Sequence, residues 1–566
     1  MPDVKFSRWS GYCILLAGFL YNPSIAQQTP LVTDPAITVS PFMEVNPLAV
    51  RVAKCHGDGH LYYITFDGGV YRIDEVTGQP PTDTLVASVP DHGINYLQGL
   101  AISDSLMFLS GNFKLSGTSG RGIVCRGILQ PNGQWIWENL LTTEPYPSTA
   151  TLYDHAFSGI CVTPGKDSII VCSGSRTDHG EVQTSNGLYP GHREAPLTTA
   201  IFKLPASASE LLLVNDSAWI DTSGYLFARG VRNSFDIAYD KYGNLFGVEN
   251  SGDRDDPDEL NWLREGHHYG FPWVMGGNLT GQQFTAYDPS LDLLINHQSL
   301  AWTNNYFYND PGFPVATAGQ VFTHGVKNIG PHADMWRNPF DGTIINISDS
   351  ASLDIRTFTT HKSPLGLTID ASESMGGAYT GSGFVLGYTR GCSDSSGFIA
   401  GYGMGPFLDD GEDLLHLVMQ YDSLDDNFNA QVFRIAVGFN NPVDAELDEN
   451  IMYVIENSYP GSPLIPTLWK LEFPPNTTNT HQILSENKIL VYPNPSYGTI
   501  TIQGCERGDV VSLFDLAGKR LQAFTIDTES FNIKADITSA APGMYFFKVS
   551  RSGNKVYTEK ILILRN

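Results

Sequence analysis

One unit recurs along residues 30–472: a short apolar strand, a tight turn, and a second apolar strand. Residues 61–66 and 70–73 flank Asp67-Gly68-Gly69, and residues 159–162 and 168–172 flank Thr163-Pro164-Gly165-Lys166. Residues 235–239 and 244–248 flank Asp240-Lys241-Tyr242-Gly243, and residues 443–445 and 451–455 flank Asp448-Glu449-Asn450. Each pair reads as a β-hairpin, because Gly, Pro and Asp supply the turn conformations that adjoining strands need. Long amphipathic helical patterns are hard to find. Hairpins of one style, irregularly spaced over the whole length, predict an all-β repeat of the propeller type, in which radial repetition leaves only short protected edges. Such a fold gathers loops from every repeat around one channel mouth, where a site belongs.

The two ends differ from this middle. Lys5 and Arg8 precede an apolar run over residues 12–20, followed by Ser24-Ile25-Ala26. That is the pattern of a secretory signal over residues 1–26, and its apolar run is too short to span a bilayer. No second membrane-spanning stretch is visible. No Cys follows the cleavage site, so no lipid anchor is expected. Residues 488–566 hold ten Lys and Arg against seven Asp and Glu, a net +3, whereas the whole chain carries −26 and residues 1–487 therefore −29. This charge break marks a domain boundary. The stretch around Pro474-Pro475-Asn476-Thr477-Thr478-Asn479-Thr480 is the expected linker, residues 473–487. Short strands at 489–492, 499–502, 510–514, 544–549 and 560–564 predict a small C-terminal β-sandwich.

Charge and cysteine usage narrow the function classes. A charge of −29 without basic patches argues against nucleic acid as a partner. The seven Cys show no metal-ligand spacing. Cys161 and Cys172 lie on two arms of one hairpin and are either a cross-strand disulfide or buried thiols.

Two segments carry the chemistry. Residues 230–273 begin Gly230-Val231-Arg232-Asn233, pass through Val248-Glu249 and hold five carboxylates, Asp253, Asp255, Asp256, Asp258 and Glu259, within seven residues. Such carboxylates repel one another unless water, salt or a cation screens them; the loop is either a solvated acidic turn or a site for a hard cation such as calcium. The second segment is Tyr153-Asp154-His155-Ala156-Phe157-Ser158-Gly159. A His at a strand mouth is a candidate general base, since imidazole takes a proton near neutral pH; the alternative is a structural His in a loop.

The ordered motifs Gly230-Val231-Arg232-Asn233, Val248-Glu249, Asp258-Glu259-Leu260-Asn261 and Tyr269-Gly270-Phe271-Pro272 resemble the glucose/sorbosone dehydrogenase family, the soluble quinoprotein sugar dehydrogenases. Asp154-His155-x-x-Ser158-Gly159 and Ser363-Pro364-Leu365-Gly366-Leu367 resemble two further family segments. The departures are Ser234 where Pro is usual, Ile160 where Arg is common, and a slightly longer acidic loop. The resemblance implies a six-bladed β-propeller of four-stranded blades that oxidises an aldose or related polyol with pyrroloquinoline quinone (PQQ) and calcium. Carried over by position, it implies His155 as the base with Asp154 beside it, and Arg232 facing the reacting oxygen and the quinone. It implies Asn233 and Asn250 as cofactor contacts, and the main-chain carbonyls of Ser251 and Gly252 as calcium ligands. Asp258, Glu259 and Tyr269 would form a supporting calcium region. Arg390 stands one position late for a cofactor carboxylate, and the two arginines expected near residues 440–443 are absent. Arg434 lies on the preceding strand, and His179, His192 and Arg193 fall in an insertion, residues 175–197, that is a source of replacement cations, a lid or a mobile surface loop.

The C-terminal module resembles the type IX secretion sorting domain of Bacteroidetes. The matching residues are Tyr492-Pro493-Asn494-Pro495, Gly498, Leu513-Phe514-Asp515-Leu516-x-Gly518-Lys519, Pro542-Gly543-Met544-Tyr545 and Lys560-Ile561 with Arg565-Asn566. That resemblance implies export to the medium or the cell surface by the type IX machinery. Two function classes follow: a secreted quinoprotein-like dehydrogenase, or a non-catalytic propeller binding carbohydrate or protein at the cell surface.

Overall fold

The computed structural model describes residues 29–476 apart from 117–118, 150, 347–353, 393–406, 460–461 and 463. It also describes residues 490–563 apart from 493–495, 497–498, 504, 506, 516–517, 527–531, 538–539 and 552–554. The expected signal, residues 1–26, and residues 477–487 of the expected linker lie outside the described residues. Nearly all regular structure is β, and all four hairpins read from turn chemistry form.

Within residues 31–472, among the described residues, six sheets of three or more strands succeed one another. Their first strands are Ala49–Lys54, Tyr96–Ser103, Phe157–Val162, Ser234–Tyr239, Pro364–Ile369 and Pro442–Asp448. Each lies at one edge of its sheet and pairs antiparallel with the strand that follows it. These first strands touch in cyclic order, the sixth against the first, so they surround an axis as the inner strands of a propeller do. The ring closes where the first and last parts of this region meet: Thr38–Glu44 pairs with Thr467–Glu472 and completes the last sheet. The inner strand Ala49–Lys54 is buried along most of its length, whereas half the residues of the outer strand Thr82–Ala87 are exposed. Apolar side chains fill the gaps between neighbouring sheets, as where Leu61 and Ile64 of the first meet Leu97 and Leu109 of the second.

All six inner strands carry a β-bulge near their start. The residues at the six bulges are Arg51, Gly99, Gly159, Asp236, Gly366 and Asp444. Bulges re-aim the chain locally, and here they turn one residue of each sheet towards the axis. Glycine serves where backbones crowd: a Cβ on Gly159 would meet the Ser234 and Phe235 carbonyl oxygens at 2.9 Å, and one on Gly366 would meet the Asp444 Cα at 3.0 Å. The charged three meet each other. Arg51 Nη1 lies 3.4 Å from Asp236 Oδ2 and 3.3 Å from Asp444 Oδ1. Its Nε donates to the Gln98 carbonyl at 3.0 Å and its Nη2 to the Phe235 carbonyl. One guanidinium thus ties several sheets together on the axis. It separates a cavity of about 460 Å³, where the inner strands begin, from one of about 360 Å³ lined by their later residues.

Cys161 sits across from Ile170, not Cys172, and both are free thiols, as are Cys55, Cys125 and Cys505. The C-terminal module is a sandwich of a three-stranded sheet, Leu490–Tyr492, Thr499–Gln503 and Asn532–Asp536, and a four-stranded sheet, Arg520–Thr525, Val510–Asp515, Gly543–Arg551 and Lys555–Ile563. Ile500, Ile502, Val511, Leu513, Phe547 and Ile561 form its core. Arg520–Thr525 was not legible as a strand because it is an edge strand with mostly exposed side chains. No helix among the described residues is long and apolar enough to cross a membrane.

Candidate functional site

The larger cavity brings most of the expected site residues together. Asp154, His155, Arg232, Asn233, Asn250, Ser251 and Gly252 all line it. They arrive there because two hairpin ends meet. Glu249 ends the strand Leu245–Glu249, and its carboxylate accepts from the Arg232 amide at 2.6 Å, the Asn233 amide at 3.3 Å and the Ser234 hydroxyl at 2.9 Å. This clamp fixes the turn before Ser234–Tyr239 and gives the non-family Ser234 a buried partner.

Arg232 is buried and held through all three of its guanidinium nitrogens. Its Nε donates to the Asp178 carbonyl at 2.8 Å, its Nη1 to the Asn250 carbonyl at 2.9 Å, and its Nη2 lies 3.2 Å from Asp178 Oδ1. Asn233 Nδ2 donates to Asn250 Oδ1 at 2.7 Å, while Asn233 Oδ1 is buried without a partner among the described residues. A buried orphan acceptor is costly, so a ligand donor is the natural complement. Asp178 comes from the 175–197 insertion, whose first residues are buried while residues 186–191 run over the surface. Ser175, Arg176, Thr177, Asp178 and Glu181 are buried, and Arg176 donates to the carbonyls of Pro147, Arg193 and Gln183. His179 holds Asp178 at 2.8 Å and stacks on Phe307 with ring centroids 4.3 Å apart.

His155 Nδ1 lies 3.2 Å from the Ser175 carbonyl oxygen. A carbonyl only accepts, so Nδ1 carries the hydrogen and Nε2 the lone pair. Burial and the neighbouring Arg232 charge push the imidazole down to about 3, so it is neutral at physiological pH. Asp154 moves the other way: burial raises its carboxyl to about 6, against the pull of Lys114 and the Thr149 amide. Lys114 also lines the cavity, with Nζ 4.5 Å from the centroid of the Tyr96 ring.

The acidic loop is not a solvated turn. Asp255, Asp256, Asp258 and Glu259 are buried. Asp256 pairs with Arg254 at 2.7 Å, and Asp255 with Arg337 at 2.7 Å and His361 at 2.8 Å. Asp258 accepts from the amides of Ser251, Lys362 and Ser363 at 2.7, 2.8 and 3.1 Å. Asp253 accepts from the Tyr153 hydroxyl and the Ala301 amide. A Cβ on Gly252 would meet Asp178 Oδ1 at 2.8 Å, so only glycine lets the loop approach so closely. Glu259 faces Glu249 across the sheet, and burial and that neighbouring charge push it up to about 8. Asn261 Nδ2 bridges the two carboxyl groups at 3.0 Å each. Tyr269 donates to the Trp262 carbonyl and accepts from the Arg264 amide, inside the core. Asp258, Glu259 and Tyr269 therefore sit behind the cavity wall. Among the described residues no group of three or more His, Cys, Asp or Glu side chains is arranged around a metal, which leaves main-chain oxygens of Ser251 and Gly252 as the calcium donors to test.

The late cations stand apart. Arg390 is 67 % exposed, 3.5 Å from Glu412, and does not line the cavity. Arg434 is held by Asp409 and Asp413, and Lys362 by the same two carboxylates. Arg193 pairs with Asp310 at 2.8 Å. The sequence reading missed Asp178, Lys114 and His361. Burial lowers the His361 imidazole, but the hydrogen bond to Asp255 together with the charges of Asp255, Asp258 and Asp253 raises it above its usual value.

Several solved structures are similar to this chain at low identity. The chain is similar to the apo soluble aldose sugar dehydrogenase of Escherichia coli, at 13% identity, covering 77% of this chain and 99% of that one with a TM-score of 0.46. It is similar to the holo PQQ domain of pyranose dehydrogenase from Coprinopsis cinerea, at 13% identity over 80% of this chain and 98% of that one, TM-score 0.46. The calcium structure of a Trichoderma reesei carbohydrate-active enzyme gives 15% identity over 80% and 99%, TM-score 0.46. No curated protein matches the sequence. Residues 490–564 match the family model described as a secretion system C-terminal sorting domain, which directs the chain to secretion or cell-surface attachment.

Proposed function

We propose that this chain is a secreted oxidoreductase that oxidises an aldose or related polyol with PQQ and calcium. The observation that carries this reading is the convergence of His155, Arg232, Asn233 and the Ser251–Gly252 segment on one cavity, with His155 neutral and its Nε2 lone pair uncommitted. The residues present suit a flat anionic quinone. Phe66, Tyr96, Phe235 and Tyr388 supply aromatic lining, Lys114, Arg232 and His361 supply positive charge beside the carboxylates of Asp154 and Asp253, and Asn233 Oδ1 lacks a partner that a ligand donor would supply. When bound, PQQ supplies the two-electron acceptor for a hydride leaving the sugar carbon, and calcium held by the Ser251 and Gly252 carbonyls supplies a Lewis acid.

In this reading His155 Nε2 takes the proton of the substrate hydroxyl as the carbon–hydrogen bond is lost, so the carbon becomes a carbonyl and the proton rests on the imidazole. The Ser175 carbonyl then faces an Nδ1–H donor throughout and keeps the ring oriented. Arg232, locked by Asp178 and Asn250, presents a fixed positive field beside the reacting oxygen. An anion bound nearby raises the proton affinity of His155 from its depressed value. Residues 30–472 form the propeller, its six sheets being the six blades. Residues 1–26 are the export signal, 473–487 the linker and 488–566 the sorting domain.

A second reading is a propeller that binds carbohydrate without oxidising it. One observation favours it: Arg434 and Lys362 are spent on Asp409 and Asp413 rather than offered to a polyanion. The deciding experiment is His155→Ala in protein reconstituted with PQQ and calcium. Loss of a general base lowers turnover by about a hundredfold or more. Turnover within a few fold of the unaltered protein removes His155 from the mechanism.

A further inference from the structure

A buried polyanion needs charge pairing, because an uncompensated carboxylate out of water is costly. Among the described residues three cationic side chains line the larger cavity: Lys114, Arg232 and His361. Arg232 already serves the Asp178 carboxylate. His361 stands differently. Its Nε2 lies 2.8 Å from Asp255 Oδ1, and the other oxygen of that carboxylate lies 2.7 Å from Arg337 Nε. Arg337, Asp255 and His361 therefore form a chain of alternating charge that ends in the cavity, and the carboxylates of Asp258 and Asp253 also act on His361 and favour its protonated form, in which both ring nitrogens donate. Nδ1 is the ring nitrogen left over. The side chain is 11 % exposed, and the residue lines the cavity.

The backbone is built to hold it there. His361 has φ of 63° and Ser363 has φ of 48°, left-handed values that an L-residue adopts only when the surroundings impose them. Asp258 imposes them by accepting from the Lys362 and Ser363 amides, and the Thr389 hydroxyl donates to the His361 carbonyl. The peptide is thus fastened on both sides of His361 while the imidazole end is left to face the cavity.

We infer that His361, buttressed by Asp255 and Arg337, donates its Nδ1–H to a carboxylate of the quinone cofactor and so takes the place of the cations that Arg390 and Arg434 do not provide. This rests on the oxidoreductase reading. The anchor binds and orients and takes no part in proton transfer; it lies on the fifth sheet's wall, away from the His155 segment.

The test is a titration of the full chain with PQQ in the presence of calcium, followed by absorbance, with no substrate added. His361→Asn is the first variant, because asparagine tolerates a positive φ. Loss of a charge-assisted hydrogen bond weakens the dissociation constant by about tenfold or more. Arg337→Gln, further from the cavity, keeps a hydrogen-bond donor towards Asp255 and weakens binding by a few fold through the lower wall charge. Arg390→Gln leaves it unchanged. Both His361→Asn and Arg337→Gln binding as tightly as the unaltered protein overturns the anchor and leaves the oxidoreductase reading standing. An unaltered protein that binds no PQQ at micromolar concentration overturns both.

Discussion

A single hydrogen bond decides what His155 offers. With Nδ1–H committed to the Ser175 carbonyl, the only basic atom is Nε2. The same environment leaves a signature in stability. The imidazole has its usual value of 6.5 in the unfolded chain and about 3 in the folded one. Between those values the unfolded chain takes up a proton that the folded chain refuses. Stability is therefore full above about pH 6.5 and falls as the pH is lowered towards 3, by up to about 1.4 kcal/mol per unit from this group. Urea unfolding at pH 6.5 and pH 4.5 should show that fall, and His155→Asn should shrink it. An identical fall in both proteins would mean that the imidazole is protonated in the fold. His155 and Arg232 were legible in the sequence because each sits in a motif that resembles a known family segment. Asp178 and His361 were not, because each acquires its role from a residue far away in sequence, Arg232 for one and Asp255 for the other.

At the scale of elements, the hairpins were legible because turn chemistry is local: Asp67-Gly68-Gly69 and Pro164-Gly165 specify their own backbone. The repeat of the bulge was not. Arg51, Gly99, Gly159, Asp236, Gly366 and Asp444 share one structural position but no residue type, and they recur at irregular intervals. The acidic loop was ambiguous for a related reason. Its neutralisation depends on Arg337 and His361, which the loop's own sequence does not show, so a solvated turn and a buried ionic network look alike until the chain folds. The bulge ring carries a clear consequence. Removing Arg51 leaves Asp236 and Asp444 facing each other in a buried site, and both carboxyl groups are already pushed up by burial. Arg51→Met should cost about 3–5 kcal/mol, since breaking a buried ion pair strands its partner charges. Chemical denaturation checks it. A loss under about 1 kcal/mol would show that the axis does not depend on this guanidinium.

For the whole molecule, a catalytic-type cavity and an export module share one chain. The charge break near residue 488 made the second module legible, and its core of Ile500, Val511, Phe547 and Ile561 is its own. A core of its own allows separate unfolding. Deleting residues 490–566 should leave the propeller's melting transition in place while abolishing arrival at the cell surface or in the medium; surface arrival of the truncated chain would contradict the sorting role. The central claim is that the cavity around His155 and Arg232 oxidises sugars. The most direct measurement reconstitutes the purified full chain with PQQ and calcium and follows reduction of an artificial electron-accepting dye across a panel of aldoses. Aldose-dependent reduction that requires both PQQ and calcium is the expected result. PQQ-bound protein that reduces no dye with any aldose would contradict it and leave a propeller that binds carbohydrate without oxidising it.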